Sequence, residues 1–181
     1  MNHRVFIAVN LPQKVKDRLY STRDNYPGLP ARWTKKENLH LTLLFLGSVS
    51  DQELFQVCQS FRETAKNHVP FVLELNRIDY APNARLVWAS GKSSKELGKL
   101  QQDLHRSFFD VAGNGKEPGF APHVTLARIK EWEFKKLEPE EVPAINEEIS
   151  LSFPVETIEL MESELKREGP EYAVLESAPL G

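Results

Sequence analysis

The chain has one cysteine and two methionines, and it has no apolar run approaching the length needed to cross a bilayer. A lone Cys58 excludes an internal disulfide; set on the apolar side of a predicted helix, it reads as a small hydrophobe in a reducing compartment. The opening MNHRVFIAVNLP holds only a strand-length apolar run before Asn and Pro, so a cytoplasmic location with no membrane partner is expected. Excess positive charge is missing as well. With 23 Lys and Arg against 26 Asp and Glu, the formal net charge is −3, and no overall field exists to hold a long polyanion by counterion release. Any anionic ligand must be gripped locally. The 40% hydrophobic content excludes a disordered chain, and 181 residues suit one compact domain, 1–181.

Present instead is a repeated order of elements. RVFIAVN (4–10) reads as a buried strand, followed by a helix in LPQKVKDRLYSTRDNY with Asn10 as its cap and Val15 and Leu19 on one face. ARWTKKENLHLTLLFLG leads into a strand closed by Gly47, and SDQE is a capping box from Ser50 to Glu53 for a helix carrying Leu54, Val57, Cys58, Phe61 and Ala65 at helical spacing. VPFVLELNRIDYAP alternates as the next strand. ARLVWASG (84–91) then opens a second half, with SSKE as a capping box from Ser93 to Glu96. A helix with Leu97, Leu100, Leu104, Phe108 and Val111 on one stripe ends near GNGKEPG. FAPHVTLARIK supplies a strand. The polar stretch after it is barred from one long helix by Pro139 and Pro143, and ISLSFPVETIELMESEL and EYAVLES complete the strands.

HLTLLFLG at 40–47 and HVTLARIK at 123–130 repeat His, an apolar residue, Thr and Leu in one order. Thirty-five residues separate Val5 from His40 and thirty-seven separate Leu86 from His123, so the motifs occupy matching places in a degenerate duplication. By chance 5 His and 6 Thr would give roughly 0.17 His-x-Thr matches in a chain this long. In a strand His40 and Thr42 share one face and Leu41 and Leu43 the other; His123 and Thr125 stand likewise against Val124 and Leu126. With the apolar faces under helices, two related lobes bring four polar groups to one groove. Paired imidazoles suit a reaction needing one acid and one base near neutral pH, and threonine hydroxyls can hold the non-bridging oxygens of a phosphodiester. Zinc is disfavoured, because neither motif carries Asp, Glu or Cys at ligand spacing.

These motifs, with RVFIAVNLP, RWTKKENLHLTLLFLG, RLVWA, FAPHVTLAR and LMESELKREGPEYAVLE in that order, resemble the 2H phosphoesterase superfamily and within it the RNA 2′,3′-cyclic phosphodiesterases also called 2′-5′ RNA ligases. The resemblance implies an α+β bilobal fold, each lobe an antiparallel sheet with helices on its outer face and the site in the groove between. It implies hydrolysis of 2′,3′-cyclic phosphate ends of RNA or small cyclic nucleotides, and a monomer without cofactor or metal is expected. It makes His40 the general acid, His123 the base, and Thr42 and Thr125 the phosphate holders, whereas the residues alone are symmetric. It also assigns base stacking to Phe45 and phosphate binding to Arg128. Each stands five residues past its histidine, and strict alternation would put both on the opposite face, Phe45 in the core and Arg128 at an edge, unless the strands bulge.

Two alternatives stand beside hydrolysis: ATP-independent joining of RNA ends through a 2′-5′ linkage, and clasping of an RNA end without turnover. The remaining histidines lack a Thr partner. His3 is expected to be mobile, His68 ends a helix, and His105 lies off its helix's apolar stripe. Trp33 and Trp88 read as core or rim packing.

Overall fold

The computed structural model describes residues 1–112, 120–137, 140, 143–167 and 169–181. The GNGKEPG segment and Pro139 lie outside the described residues. Strand β1 (Asn2–Asn10) runs into α1 (Gln13–Tyr20), then the short β2 (Ala31–Trp33), β3 (His40–Ser50), α2 (Asp51–Lys66), β4 (Phe71–Ala81) and β5 (Leu86–Ser90). There follow α3 (Lys95–Ser107), α4 (Phe109–Ala112), β6 (His123–Ile129), α5 (Glu131–Phe134), β7 (Asn146–Val155), β8 (Thr157–Lys166) and β9 (Gly169–Pro179).

The apolar patterning explains the layers. Leu41, Leu43, Val124 and Leu126 are buried beneath the helices together with Val57, Phe61, Leu97, Leu100 and Leu104, in one contiguous core. The Ser50 box forms as expected: its hydroxyl accepts from Glu53 N at 3.3 Å and the Glu53 carboxylate accepts from Ser50 N at 2.8 Å. The second cap falls one residue later than expected, at Ser94, whose hydroxyl accepts from Leu97 N. Asn10 does not cap α1. It stays in β1 opposite His40, its Oδ1 accepting from Leu11 N, and Pro12 begins the helix with no side-chain cap.

The strands join in one antiparallel sheet of order β7-β4-β5-β6-β3-β1-β8-β9, with β2 added on β6. Two half-sheets, β7-β4-β5-β6 and β3-β1-β8-β9, meet where Leu41 opposes Val124, the single register pair of β3 with β6. Beyond that pair β2 takes over the β6 edge, and Thr34 N donates to Leu126 O at 2.8 Å. Glu156 alone separates β7 from β8, although they belong to different halves. Neighbouring Cα atoms are about 3.8 Å apart, so the sheet must curl until its β7 edge reaches the start of β8.

Both motif strands bulge just past their threonine. Against β1, Thr42 pairs with Ala8 and Leu44 with Ile7, leaving Leu43 as the extra residue. Against β5, Thr125 pairs with Trp88 and Ala127 with Val87, leaving Leu126 extra. One inserted residue reverses which face later side chains take. Gly47 does not close β3 as expected: at φ 81° it follows a second extra residue, Leu46, and the strand continues to Ser50.

Candidate active site

Because Leu41 opposes Val124 in antiparallel register, one further step each way sets His40 toward Thr125 and Thr42 toward His123. The four polar side chains thus stand on one face, on either side of the seam. The two rings are held alike. His40 Nδ1 donates to the carbonyl of Asn38 at 2.7 Å and His123 Nδ1 to that of Ala121 at 2.8 Å, in both cases two residues back. A carbonyl accepts only, so each Nδ1 carries the hydrogen and each Nε2 is left for chemistry. The His40 Nε2 meets the Thr42 hydroxyl at 3.0 Å, which donates to it while the ring is neutral.

The surroundings differ. His40 packs against Phe6 at 5.0 Å between ring centroids and edge-on to Tyr172 at 5.1 Å. Phe6, Ala8 and Met161, with Tyr172 against them, form a small apolar cluster apart from the main core. Burial there pushes the His40 imidazolium below its ordinary range; the Asn38 carbonyl opposes this, and the charges of Lys16 and His123 add to the fall. His123 is more open, flanked by Trp88 at 4.6 Å. Trp88 and Thr125 are register partners, which places the indole on the groove face. Lys16 is 8% exposed, its Nζ donating to Glu37 O at 2.9 Å, and burial lowers its pKa against the pull of Glu159 and Glu37.

The bulges decide the two disputed positions. Phe45 is 68% exposed and pairs with Phe6, their centroids 6.0 Å apart, so the core position that alternation implies is corrected: the extra Leu43 turns Phe45 to the groove side. Arg128 is exposed and acts on Tyr172, lowering a phenol that burial raises. The extra Leu126 turns it the same way. Phe6 and Tyr172 were not legible as site residues, since they lie on strands far from both motifs in sequence. His3, expected to be mobile, is instead clamped, with Nδ1 2.7 Å from Glu162 Oε1 and Nε2 2.8 Å from Asp51 Oδ1. His68 is buried beside Asp103, and His105 lies against Phe109. Among the described residues no helix is long and apolar enough to span a membrane.

A large antiparallel sheet with few helices and a pair of His-x-Thr strands at its seam is the α+β fold of the 2H phosphoesterases. Residues 11–167 match the model of the 2′-5′ RNA ligase superfamily, and the chain belongs to that family. It is 32% identical to the RNA 2′,3′-cyclic phosphodiesterase of Thermus thermophilus, with 98% of this chain and 90% of that protein covered. With the Methanothermobacter thermautotrophicus protein of the same name it shares 28% identity over 97% of this chain and 98% of the relative. A crystal structure of a Thermus thermophilus protein superposes with TM-score 0.84 at 31% identity, covering 98% of this chain and 97% of that one. The Escherichia coli LigT structure with 3′-AMP gives 0.84 at 24% identity over 99% of both chains, a likeness of fold.

Proposed function

We propose that this enzyme hydrolyses 2′,3′-cyclic phosphate ends of RNA or small nucleotides to 2′-phosphates with His40 and His123 as acid and base. The observation that carries the reading is the matched pair of imidazoles, each with its Nδ1 bonded to a carbonyl two residues back, on strands joined at Leu41 and Val124. Relatives named RNA 2′,3′-cyclic phosphodiesterase, similar over nearly the whole chain, support the substrate class.

In the reaction, His123 Nε2 takes a proton from water as the water oxygen attacks phosphorus. The bond from phosphorus to O3′ breaks, and His40 Nε2 gives its proton to O3′. Thr42 and Thr125 hold the non-bridging oxygens, which carry the growing charge. Giving His40 the acid role follows the family resemblance. The role requires a proton that burial disfavours in the free enzyme, and the phosphodiester anion restores it, since an opposite charge at short range favours imidazolium. Phe45 stacks on the base and Arg128 binds phosphate. End joining would run the same proton transfers backwards, and nothing in the groove favours that direction. The two halves act as lobes of one domain, in the cytoplasm and as a monomer, with no metal.

The test is turnover of adenosine 2′,3′-cyclic phosphate in EDTA by wild type, His40→Ala and His123→Ala. Each variant should lose about two to four orders of magnitude while remaining folded. Undiminished activity in either would remove the mechanism.

A further inference from the structure

Six of the ten arginines have a carboxylate partner: Arg18 with Glu147, Arg23 with Asp24, Arg62 with Glu176, Arg77 with Asp79, Arg85 with Glu131 and Arg106 with Asp103. Among the described residues, Arg4, Arg32, Arg128 and Arg167 have none. These four are not scattered. Arg32 and Arg128 are direct register partners of β2 and β6, so they share a face as neighbours across the strands. Arg128 and Arg4 both act on the Tyr172 hydroxyl, and the Tyr172 ring is 5.1 Å from that of His40. The Arg32 guanidinium lies against Gly169 so closely that a Cβ there would collide with Nη2. Arg167 stands two residues before that glycine, in the turn from β8 to β9.

Arg32 thus packs on the first residue of β9, Arg128 and Arg4 act on Tyr172 three residues further along that strand, and Asn38 Nδ2 donates to Pro170 O at 2.8 Å. Gly169 has φ 127°, a conformation side chains disfavour, and its missing Cβ is what lets Arg32 approach. Like charges set directly opposite one another are unfavourable unless an anion lies between them. In a chain of net charge −3, unpaired guanidinia gathered in one place mark a local anion site. The guanidinium fork matches phosphate.

The two His-x-Thr pairs account for one phosphate, the cyclic one on O2′ and O3′. The nearest further phosphate on an RNA end is the one on O5′ of the same ribose. We propose that Arg32 and Arg167, on the Arg128 and Arg4 side of the groove, form a second subsite for this 5′ phosphate. The enzyme then favours strand ends and 5′-phosphorylated cyclic nucleotides over the bare cyclic nucleotide. This rests on the cyclic phosphodiesterase reading above and deepens it.

The experiment compares kcat/KM for adenosine 2′,3′-cyclic phosphate, its 5′-phosphorylated form and the dinucleotide ApA with a cyclic end. The 5′ phosphate should raise kcat/KM about ten- to a hundredfold, chiefly through KM. That advantage should shrink toward unity in Arg32→Gln and fall in Arg167→Gln, an exposed turn substitution that leaves the Gly169 contact intact. A gain in both phosphorylated substrates shows that the phosphate is held, as monoester or diester. A gain in the dinucleotide alone, or an advantage that survives in Arg32→Gln, overturns the subsite. A calorimetric comparison of adenosine 2′-phosphate with adenosine 2′,5′-bisphosphate separates this inference from the reaction. Should no substrate turn over, tighter bisphosphate binding that Arg32→Gln abolishes keeps the subsite while the catalytic reading falls; equal binding by wild type overturns the subsite.

Discussion

Leu41 lies directly opposite Val124, both with 0% of their surface exposed, and His40 and His123 each adjoin this buried pair along their strands. The core and the candidate catalytic residues occupy the two faces of the same short ladder. A change under the sheet is therefore expected to be felt above it.

Leu41→Ala should lower stability by about 2–5 kcal/mol, the range for truncating a buried leucine. The cavity falls at the single register pair of β3 with β6, so turnover should drop even at temperatures where the variant is folded. Urea unfolding and kcat at low temperature check the two effects. Unchanged kcat in a destabilised protein would show that the seam does not set the histidine geometry.

His40 is lowered by burial, with the positive charges of Lys16 and His123 adding to the effect. A bound phosphate brings negative charge and works in the opposite direction. The His40 titration should therefore move to higher pH when adenosine 2′-phosphate is added, and the matching limb of the kcat profile should lie above that of kcat/KM, which reports the free enzyme. Following the His40 ring proton by NMR with and without the nucleotide checks this. A titration that stays in place or moves down contradicts a phosphate beside that ring.

How far the sequence could be read depended on the range of the interaction. Faces up to Thr42 and Thr125 followed from alternation, and the Ser50 box followed from a four-residue pattern; both are local. Past the threonines alternation failed, because extra residues at Leu43 and Leu126 are visible only when the partner strand is known. Asn10 has a capping side chain at the right place, but β1 pairs through it with His40. The capping-box pattern puts the second cap at Ser93, whereas it is the hydroxyl of adjacent Ser94 that accepts from Leu97 N. The enclosure of His40 by Phe6 and Tyr172, and the clamp on His3, join positions distant along the chain, and no local pattern marks them.

The His3 clamp gives stability a defined pH dependence. Hydrogen bonds to Asp51 and then Glu162 raise His3 above its reference value of 6.5. Its contribution is full below that unfolded-state value and is lost as pH rises through the folded one. Asp51, lowered by its bonds to the N-terminal ammonium and His3, contributes above its reference of 3.8 and loses that contribution as pH falls through its folded value. The melting temperature of wild type should exceed that of His3→Gln by more at about pH 5.5 than at about pH 9, on either side of the imidazole's range. An equal gap at both would show that the ring contributes by packing alone.

Phe45 separates a packing role from a binding role most cleanly, because its ring is 68% exposed and still lies beside Phe6, which in turn touches His40. An exposed side chain adds little to folding, so Phe45→Ala should change stability by no more than about 0.5 kcal/mol. A base stacked on the ring is worth about 1–3 kcal/mol, so KM for cyclic nucleotides should rise about five- to a hundredfold, with kcat much less affected. Phe45→Trp should recover most of the affinity, since the stack needs an aromatic face and not a particular ring. A large loss of stability with unchanged KM would return Phe45 to the core position that alternation implies. The reverse result would make the Leu43 bulge the device that converts a core position into a ligand contact.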